Sequence, residues 1–168
     1  SSPTTYYVEC KNVVKKLVTI TFDTMGGNTI DPITRKETTV LPTMQVPVKR
    51  GYVFDGWCTD KECNNLFTSK TVPTEDITLY AKWKPAVYTV IFKENGGNEL
   101  ETNTKKVTYT ENYGELPTPV REGYAFLGWY TDIDNGEQVK AEDQVLITSS
   151  LTLYAYWRKL LPIPSEAF

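Results

Sequence analysis

Short segments in which apolar and polar residues alternate recur along the chain. Six of them form three similar pairs: residues 18–22 with 89–92, 52–57 with 124–129, and 77–83 with 151–157. Successive side chains of a strand point to opposite faces of a sheet, so this alternation predicts β-strands. Helix has room only for one short turn, near residues 73–76. We therefore expect a strand-rich α+β fold that is mostly β, with little helix.

A Gly-Gly dipeptide follows the first strand of each set. Gly26-Gly27 and Gly96-Gly97 can adopt the positive φ angles that tight turns require. We expect each turn to begin a hairpin, with return strands at residues 38–41 and 105–109. Neither dipeptide precedes a predicted helix, so these glycines are interpreted as turn residues and not as a phosphate-binding loop.

The chain contains an internal repeat. Residues 47–60 read PVKRGYVFDGWCTD and residues 119–132 read PVREGYAFLGWYTD, and nine of these 14 positions are identical. The flanking strand pairs match at similar offsets, so the repeating unit has about 70 residues. We assign repeat 1 to residues 18–84 and repeat 2 to residues 88–157, with residues 85–87 as the linker.

The two ends of the chain follow the repeat less closely. Residues 5–11 (TYYVECK) can be laid over the closing strand of repeat 1, which would make residues 1–17 the end of a preceding repeat. A separate N-terminal strand or leader is the alternative, and the sequence leaves both open. Residues 158–168 form a C-terminal tail whose two prolines oppose regular structure.

Composition agrees with the strand prediction and excludes several functions. Thr, Val and Ile together number 47, against six Ala, which favours strands over helices. The chain has no His and therefore lacks the commonest general base and nitrogen ligand. A net charge of −3 argues against nucleic acid as a partner, because binding phosphates requires a basic surface. No apolar run approaches the ~18 residues of a membrane span, so we expect no membrane insertion.

Three cysteines allow at most one disulfide within the chain. Cys58 and Cys63 can close a small loop in an oxidising compartment, and otherwise they are two free thiols. Cys10 would stay unpaired. Without His the thiols are too few for a zinc site. Residues 132–136 resemble the start of a calcium loop but depart from its spacing, so a solvated turn is expected. We expect neither a metal nor a cofactor.

Three motifs together resemble a known family. They are a Phe-x-x-x-Gly-Gly opening, the mid-unit sequences GYVFDGWCTD and GYAFLGWYTD, and the closing sequences ITLYAKW and LTLYAYW. This combination is similar to the Listeria–Bacteroides repeat, the B-repeat type of internalin B, and it occurs twice. The resemblance implies small β-grasp-like (ubiquitin-like) units in tandem within bacterial surface proteins, and it brings no catalytic residues. Cys58 departs from the pattern, since repeat 2 has Tyr there.

The residues shared by both copies are mainly aromatic residues and turn formers. Large rings are needed to fill the core of so small a unit, so we predict a structural role for them and not a sugar-binding platform. The predicted core residues are Phe54, Trp57, Tyr80 and Trp83 in repeat 1, and Phe126, Trp129, Tyr154 and Trp157 in repeat 2. Tyr156 replaces a lysine of repeat 1, and we expect it on the solvent side.

Charge distinguishes the two copies. Repeat 1 has eight basic and eight acidic residues, whereas repeat 2 has five basic and eleven acidic residues, a net charge of −6. Four acidic residues in the hairpin half of repeat 2 can steer a basic partner: Glu94, Glu99, Glu101 and Glu111. Together with Tyr156 they form the predicted interaction face.

These observations predict a non-catalytic repeat module of a bacterial cell-surface or secreted protein. It would serve adhesion, protein–protein interaction and spacing, including in virulence, as a monomer within a longer array. The expected partner is a protein or a component of the cell wall or host surface. A stalk without ligand and a carbohydrate-binding accessory module of an enzyme are the alternatives.

Overall fold

The computed structural model describes residues 1–7 and 12–165 of the chain. The chain divides into two compact units, one of residues 1–47 and 54–82 and the other of residues 48–53 and 83–168. Four residues of the predicted N-terminal strand, including Cys10, lie outside the described residues, so that expectation stays a prediction.

Within the described residues, nine strands form two sheets. The first sheet contains β1 (Leu17–Asp23), β2 (Ile33–Lys36), β3 (Tyr52–Cys58) and β4 (Ile77–Pro85), in the order β2-β1-β4-β3. The second contains β5 (Val87–Lys93), β6 (Thr104–Thr108), β7 (Tyr124–Tyr130), β8 (Gln138–Val139) and β9 (Leu151–Lys159), in the order β6-β5-β9-β7-β8.

The first and last strands of each sheet are parallel neighbours at its centre. In the first sheet β1 pairs with β4 from Ile20↔Ile77 to Asp23↔Tyr80. In the second sheet β5 pairs with β9 from Val90↔Leu151 to Lys93↔Tyr154. The remaining pairs for which a register is defined, β1–β2, β5–β6, β7–β8 and β7–β9, are antiparallel.

The predicted helical turn near residues 73–76 is absent, and residues 1–7 and 12–165 contain no helix. The structure is therefore all-strand over this part of the chain, and the helical part of the fold prediction is not found. Val72 hydrogen-bonds through its backbone to another extended segment: Val72 N donates to Thr39 O at 2.8 Å, and Thr38 N donates to Val72 O at 2.9 Å. This pairing holds the chain extended up to the predicted turn.

The same pairing corrects one strand prediction. Residues 38–41 were expected to return along β1, but that position belongs to β2 (Ile33–Lys36). Residues 38–41 instead contact residues 70–72, and Val40 forms an isolated bridge with Thr71. In repeat 2 the return strand is β6, within one residue of the predicted bounds.

The core of the second sheet lies on one face. Its buried residues are Val90, Phe92, Val107, Tyr113, Trp129, Val145, Leu153 and Ala155. Phe126 and Trp157 pack against this cluster and are partly buried. In the first sheet, Trp57 is buried together with Val18, Ile20, Phe22, Leu79 and Ala81.

Tyr80 and Tyr154 do not belong to these cores. Each follows a fully buried leucine and precedes a buried alanine in its strand, and each is only partly buried. Because side chains alternate between faces, the two tyrosines lie on the face opposite the core. Their aromatic character suggested the core, whereas the period of the strand places them outside it.

Candidate functional site

The shared tryptophans of repeat 2 are fixed in place. Trp129 is 2% exposed, and its ring centroid lies 4.8 Å from that of Phe92 and 5.4 Å from that of Phe126. Its indole Nε1 donates to Pro117 O at 2.7 Å. The Trp157 Nε1 donates to Glu94 O at 2.8 Å. Both indoles therefore hold loop backbone to the sheet.

Repeat 1 contains a similar aromatic group. The Trp57 ring lies 4.8 Å from Phe22 and 5.2 Å from Phe54, centroid to centroid. Trp83 is partly buried, and the Lys49 ammonium lies 5.8 Å from its ring centroid. These rings serve packing in both copies.

A disulfide between Cys58 and Cys63 closes the loop after β3. Cys58 is fully buried, so this bond ties the loop to the edge of the core. Asp60 orders the same loop, because its carboxylate accepts hydrogen bonds from Asn64 N at 2.9 Å and Asn65 N at 2.8 Å. The bond from the Asn64 backbone is the main reason that the pKa of Asp60 lies below its usual value.

Repeat 2 holds the equivalent loop without a disulfide. Tyr130 stands where repeat 1 has Cys58, and its ring stacks on Tyr156 with centroids 3.9 Å apart. The Tyr156 hydroxyl donates to Asp132 O at 2.8 Å and accepts from Gly136 N at 3.0 Å. Tyr156 is therefore half-buried and bonded, and not the freely exposed ring that the sequence suggested.

The predicted acidic face is divided by the fold. Glu99 and Glu101 are exposed in the segment before β6, whereas Glu111 is exposed after it. The five residues of β6, a strand about 16 Å long, lie between these positions in the chain. Glu94 is half-buried and its carboxylate accepts a hydrogen bond from Leu100 N at 3.0 Å. Only Glu99 and Glu101 thus remain close together in sequence and fully available to solvent.

Repeat 2 contains an open cleft that the sequence did not predict. The cleft has a volume of about 290 Å³ and is lined by Asn95, Arg121, Ile133, Tyr156 and Trp157. The Arg121 guanidinium lies over the Tyr124 ring at 3.7 Å. The Asn95 side chain donates to Ala155 O at 3.1 Å. Of these residues, only Tyr156 was singled out by its difference from repeat 1.

Residues 1–7 and 12–165 lack two kinds of feature. This part of the chain has no group of three or more His, Cys, Asp or Glu side chains placed to hold a metal ion. It also has no helix with the length and hydropathy needed to cross a membrane.

The two similar repeats of the sequence form two similar β-sheets. This arrangement defines a tandem-repeat protein. A model of the Listeria-Bacteroides repeat domain matches residues 19–82 and 88–156. The chain therefore belongs to the Listeria-Bacteroides repeat family and contains two tandem copies of the domain, as the sequence motifs predicted.

Several longer proteins are similar to this chain. It is 34% identical over 141 residues to a putative membrane protein of Evansella cellulosilytica, covering 83% of this chain and 21% of that protein. It is also 34% identical over 143 residues to Internalin H of Listeria monocytogenes, covering 84% of this chain and 25% of that protein. The chain thus spans about a quarter or less of these relatives.

Among solved structures, the chain is similar to SHIRT (Streptococcal High Identity Repeats in Tandem) domains 3-4 from a cell surface protein. The sequence identity is 17%, the match covers 84% of this chain and 96% of that chain, and the TM-score is 0.25.

Proposed function

We propose that the chain is a non-catalytic repeat module of a bacterial cell-surface or secreted protein, serving adhesion or protein–protein interaction and spacing. The observation that carries this proposal is the use of the repeated motif for packing. Trp57 and Trp129 are buried, and the Trp129 and Trp157 indoles bond to loop backbone. Membership of the family and similarity to Internalin H support a surface location.

Strand order supports a finer assignment of the fold, which we also propose. Each sheet has its first and last strands adjacent and parallel, with antiparallel strands outside them. This mixed arrangement is compatible with a β-grasp-like unit in which extended segments replace the covering helix.

The contact with a partner is assigned to the exposed acidic residues before β6. Glu99 and Glu101 are exposed, and repeat 2 has a net charge of −6. Exposed carboxylates increase the rate of encounter with a basic partner more than they increase affinity. A protein or a component of the wall or host surface with a basic patch is therefore the expected partner.

The test uses the full chain, fluorescently labelled, with intact epithelial cells and with purified Gram-positive cell walls. We expect capture on one of these surfaces at about 0.15 M salt and at least a fivefold loss at about 0.5 M salt, because screening shortens the range of the carboxylates. If the chain binds neither surface, the proposed adhesive role is wrong, and the result supports a stalk without ligand.

A matched pair of variants locates the contact. We expect E99K/E101K to lose capture, whereas E137K/E142K, which makes the same charge change at exposed positions of repeat 2, retains it. Both variants should melt close to the parent protein, because none of the four side chains is buried. Equal capture by the two variants contradicts a contact at Glu99 and Glu101.

A further inference from the structure

We propose that the cleft of repeat 2 lined by Asn95, Arg121, Ile133, Tyr156 and Trp157 binds a carboxylated sugar residue, such as a uronic acid. The Arg121 guanidinium would take the carboxylate, and the other lining residues would contact the sugar ring. The lining of this site does not include Glu99 or Glu101, so its test does not depend on the proposed contact with a basic partner.

The guanidinium supplies the first argument. The Arg121 Cζ lies 3.7 Å from the Tyr124 ring centroid, a cation–π contact that restricts the guanidinium. Within residues 1–7 and 12–165, its side chain has no ion pair and no hydrogen bond. A fixed planar fork of N–H donors without a protein partner matches a carboxylate, which can accept two parallel hydrogen bonds.

Space for this guanidinium depends on Gly96. A Cβ added to Gly96 would lie 3.0 Å from the Arg121 Cζ, closer than such atoms normally approach. Gly96 also adopts a φ of +93°, which other residues rarely take. The turn after β5 therefore brings backbone close to the guanidinium without covering it with a side chain.

The walls of the cleft are held by bonds that a ligand does not need to form. The Trp157 Nε1 is bonded to Glu94 O, and the Tyr156 hydroxyl is bonded to Asp132 O and Gly136 N. Asn95 is held through its side-chain nitrogen, which donates to Ala155 O. Walls ordered in advance reduce the entropy lost on binding.

The size and lining of the cleft suit a single sugar residue. Its volume of about 290 Å³ lies just below the ~300–1,000 Å³ typical of small-molecule sites. The lining is more polar than apolar: the Asn95 amide and the Arg121 guanidinium supply polar groups, and Ile133 and Trp157 supply a smaller apolar part. A sugar ring presents apolar C–H groups and hydroxyls that complement this mixture.

Repeat 1 lacks this combination. It has Met25, Lys49, Lys61 and Lys82 where repeat 2 has Asn95, Arg121, Ile133 and Tyr156, and only the tryptophan is retained, as Trp83. The Lys82 ammonium is 3.9 Å from the Asp55 carboxylate. Repeat 1 therefore serves as an internal control within the same chain.

Acidic neighbours limit the affinity. Glu94 and Glu122 are adjacent in sequence to lining residues, and Asp132 and Asp134 flank Ile133. The Asp132 carboxylate accepts a hydrogen bond from Asp134 N at 3.3 Å, which engages it within its own turn. Repulsion from these groups is screened over about 8 Å at physiological ionic strength, so direct contact with Arg121 has to provide the preference for a carboxylate.

The experiment titrates the full chain with methyl glucuronide and with methyl glucoside, which differ only at C6, a carboxylate in the first and a hydroxymethyl group in the second, and follows the indole N–H signals by NMR. We expect methyl glucuronide to shift the Trp157 signal and to bind at least tenfold more tightly than methyl glucoside. The Trp83 signal of repeat 1 should not move. Equal affinity for the two glycosides, or the absence of a Trp157 shift, overturns the proposal.

Variants and a second ligand complete the test. R121Q should weaken binding of methyl glucuronide at least tenfold, whereas R158Q, which removes an exposed arginine directly after repeat 2, should leave it unchanged. Both variants are checked for unchanged melting. Acetate supplies a carboxylate without a ring, so binding of acetate as tight as that of methyl glucuronide contradicts recognition of a sugar.

Discussion

Replacement of Trp129 by alanine tests the assignment of the repeated tryptophan to the core. The side chain is 2% exposed, so the variant loses about 200 Å² of apolar surface that the parent protein buries on folding. At ~25 cal/mol per Å², this burial contributes about 5 kcal/mol to the free energy of unfolding. Measured losses for such substitutions are about 3–5 kcal/mol. A unit of about 70 residues has a total stability near 7 kcal/mol at ~0.1 kcal/mol per residue, so most of the stability of repeat 2 should be lost.

Circular dichroism during urea unfolding measures the loss, and amide hydrogen exchange locates it in repeat 2. Trp129→Phe is the control, because it keeps most of the ring contacts and loses the bond from Nε1 to Pro117 O. Its expected cost is about 1–2 kcal/mol. If Trp129→Ala unfolds at the same urea concentration as the parent protein, the indole does not support the core and the reasoning is refuted.

Three further predictions concern other parts of the structure. Mass spectrometry after alkylation without reductant should show Cys58 and Cys63 unlabelled, and reduction should cost no more than about 2–3 kcal/mol because the loop is small; labelling of both residues contradicts the disulfide. Burial raises the pKa of Tyr113, with Asp143 adding to the effect, so its contribution to stability is complete below about pH 10 and is lost as the pH rises through the raised pKa; Tyr113→Phe should reduce the alkaline loss seen in thermal melts. Gly97→Ala should destabilise repeat 2 by about 1–3 kcal/mol, because the new Cβ meets the Trp157 ring held by its indole bond; a Gly97→Ala variant that unfolds at the same urea concentration as the parent protein contradicts this reasoning.

The strands that the sequence predicts correctly are those in which apolar and polar residues alternate and the same alternation occurs in both repeats. The segments at residues 18–22, 77–83 and 151–157 all lie within strands of the structure. The strand prediction for residues 38–41 is wrong because their partner at residues 70–72 is distant in sequence. Backbone pairing between distant segments leaves no local sequence pattern. The aromatic character of Tyr80 favours the core, whereas its position next to the buried Leu79 places it on the opposite face.

The candidate cleft could not be found from the sequence in the same way. Asn95, Arg121 and Tyr156 come from three separate segments, and only the fold brings them together. A comparison of the two repeats does reveal part of the signal, since Tyr156 replaces Lys82 and Asn95 replaces Met25. Substitution alone does not show that the replaced side chains line one surface.

The parallel pairing at the centre of each sheet has a mechanical consequence. In the second sheet, the chain enters through β5 and leaves through β9, and these neighbouring strands run in the same direction. A force applied between the two chain ends would pull β5 and β9 in opposite directions along their common axis. The hydrogen bonds between them would then be loaded together in shear and would not open one after another. β1 and β4 have the same arrangement, so each repeat has a built-in resistance to stretching along the chain.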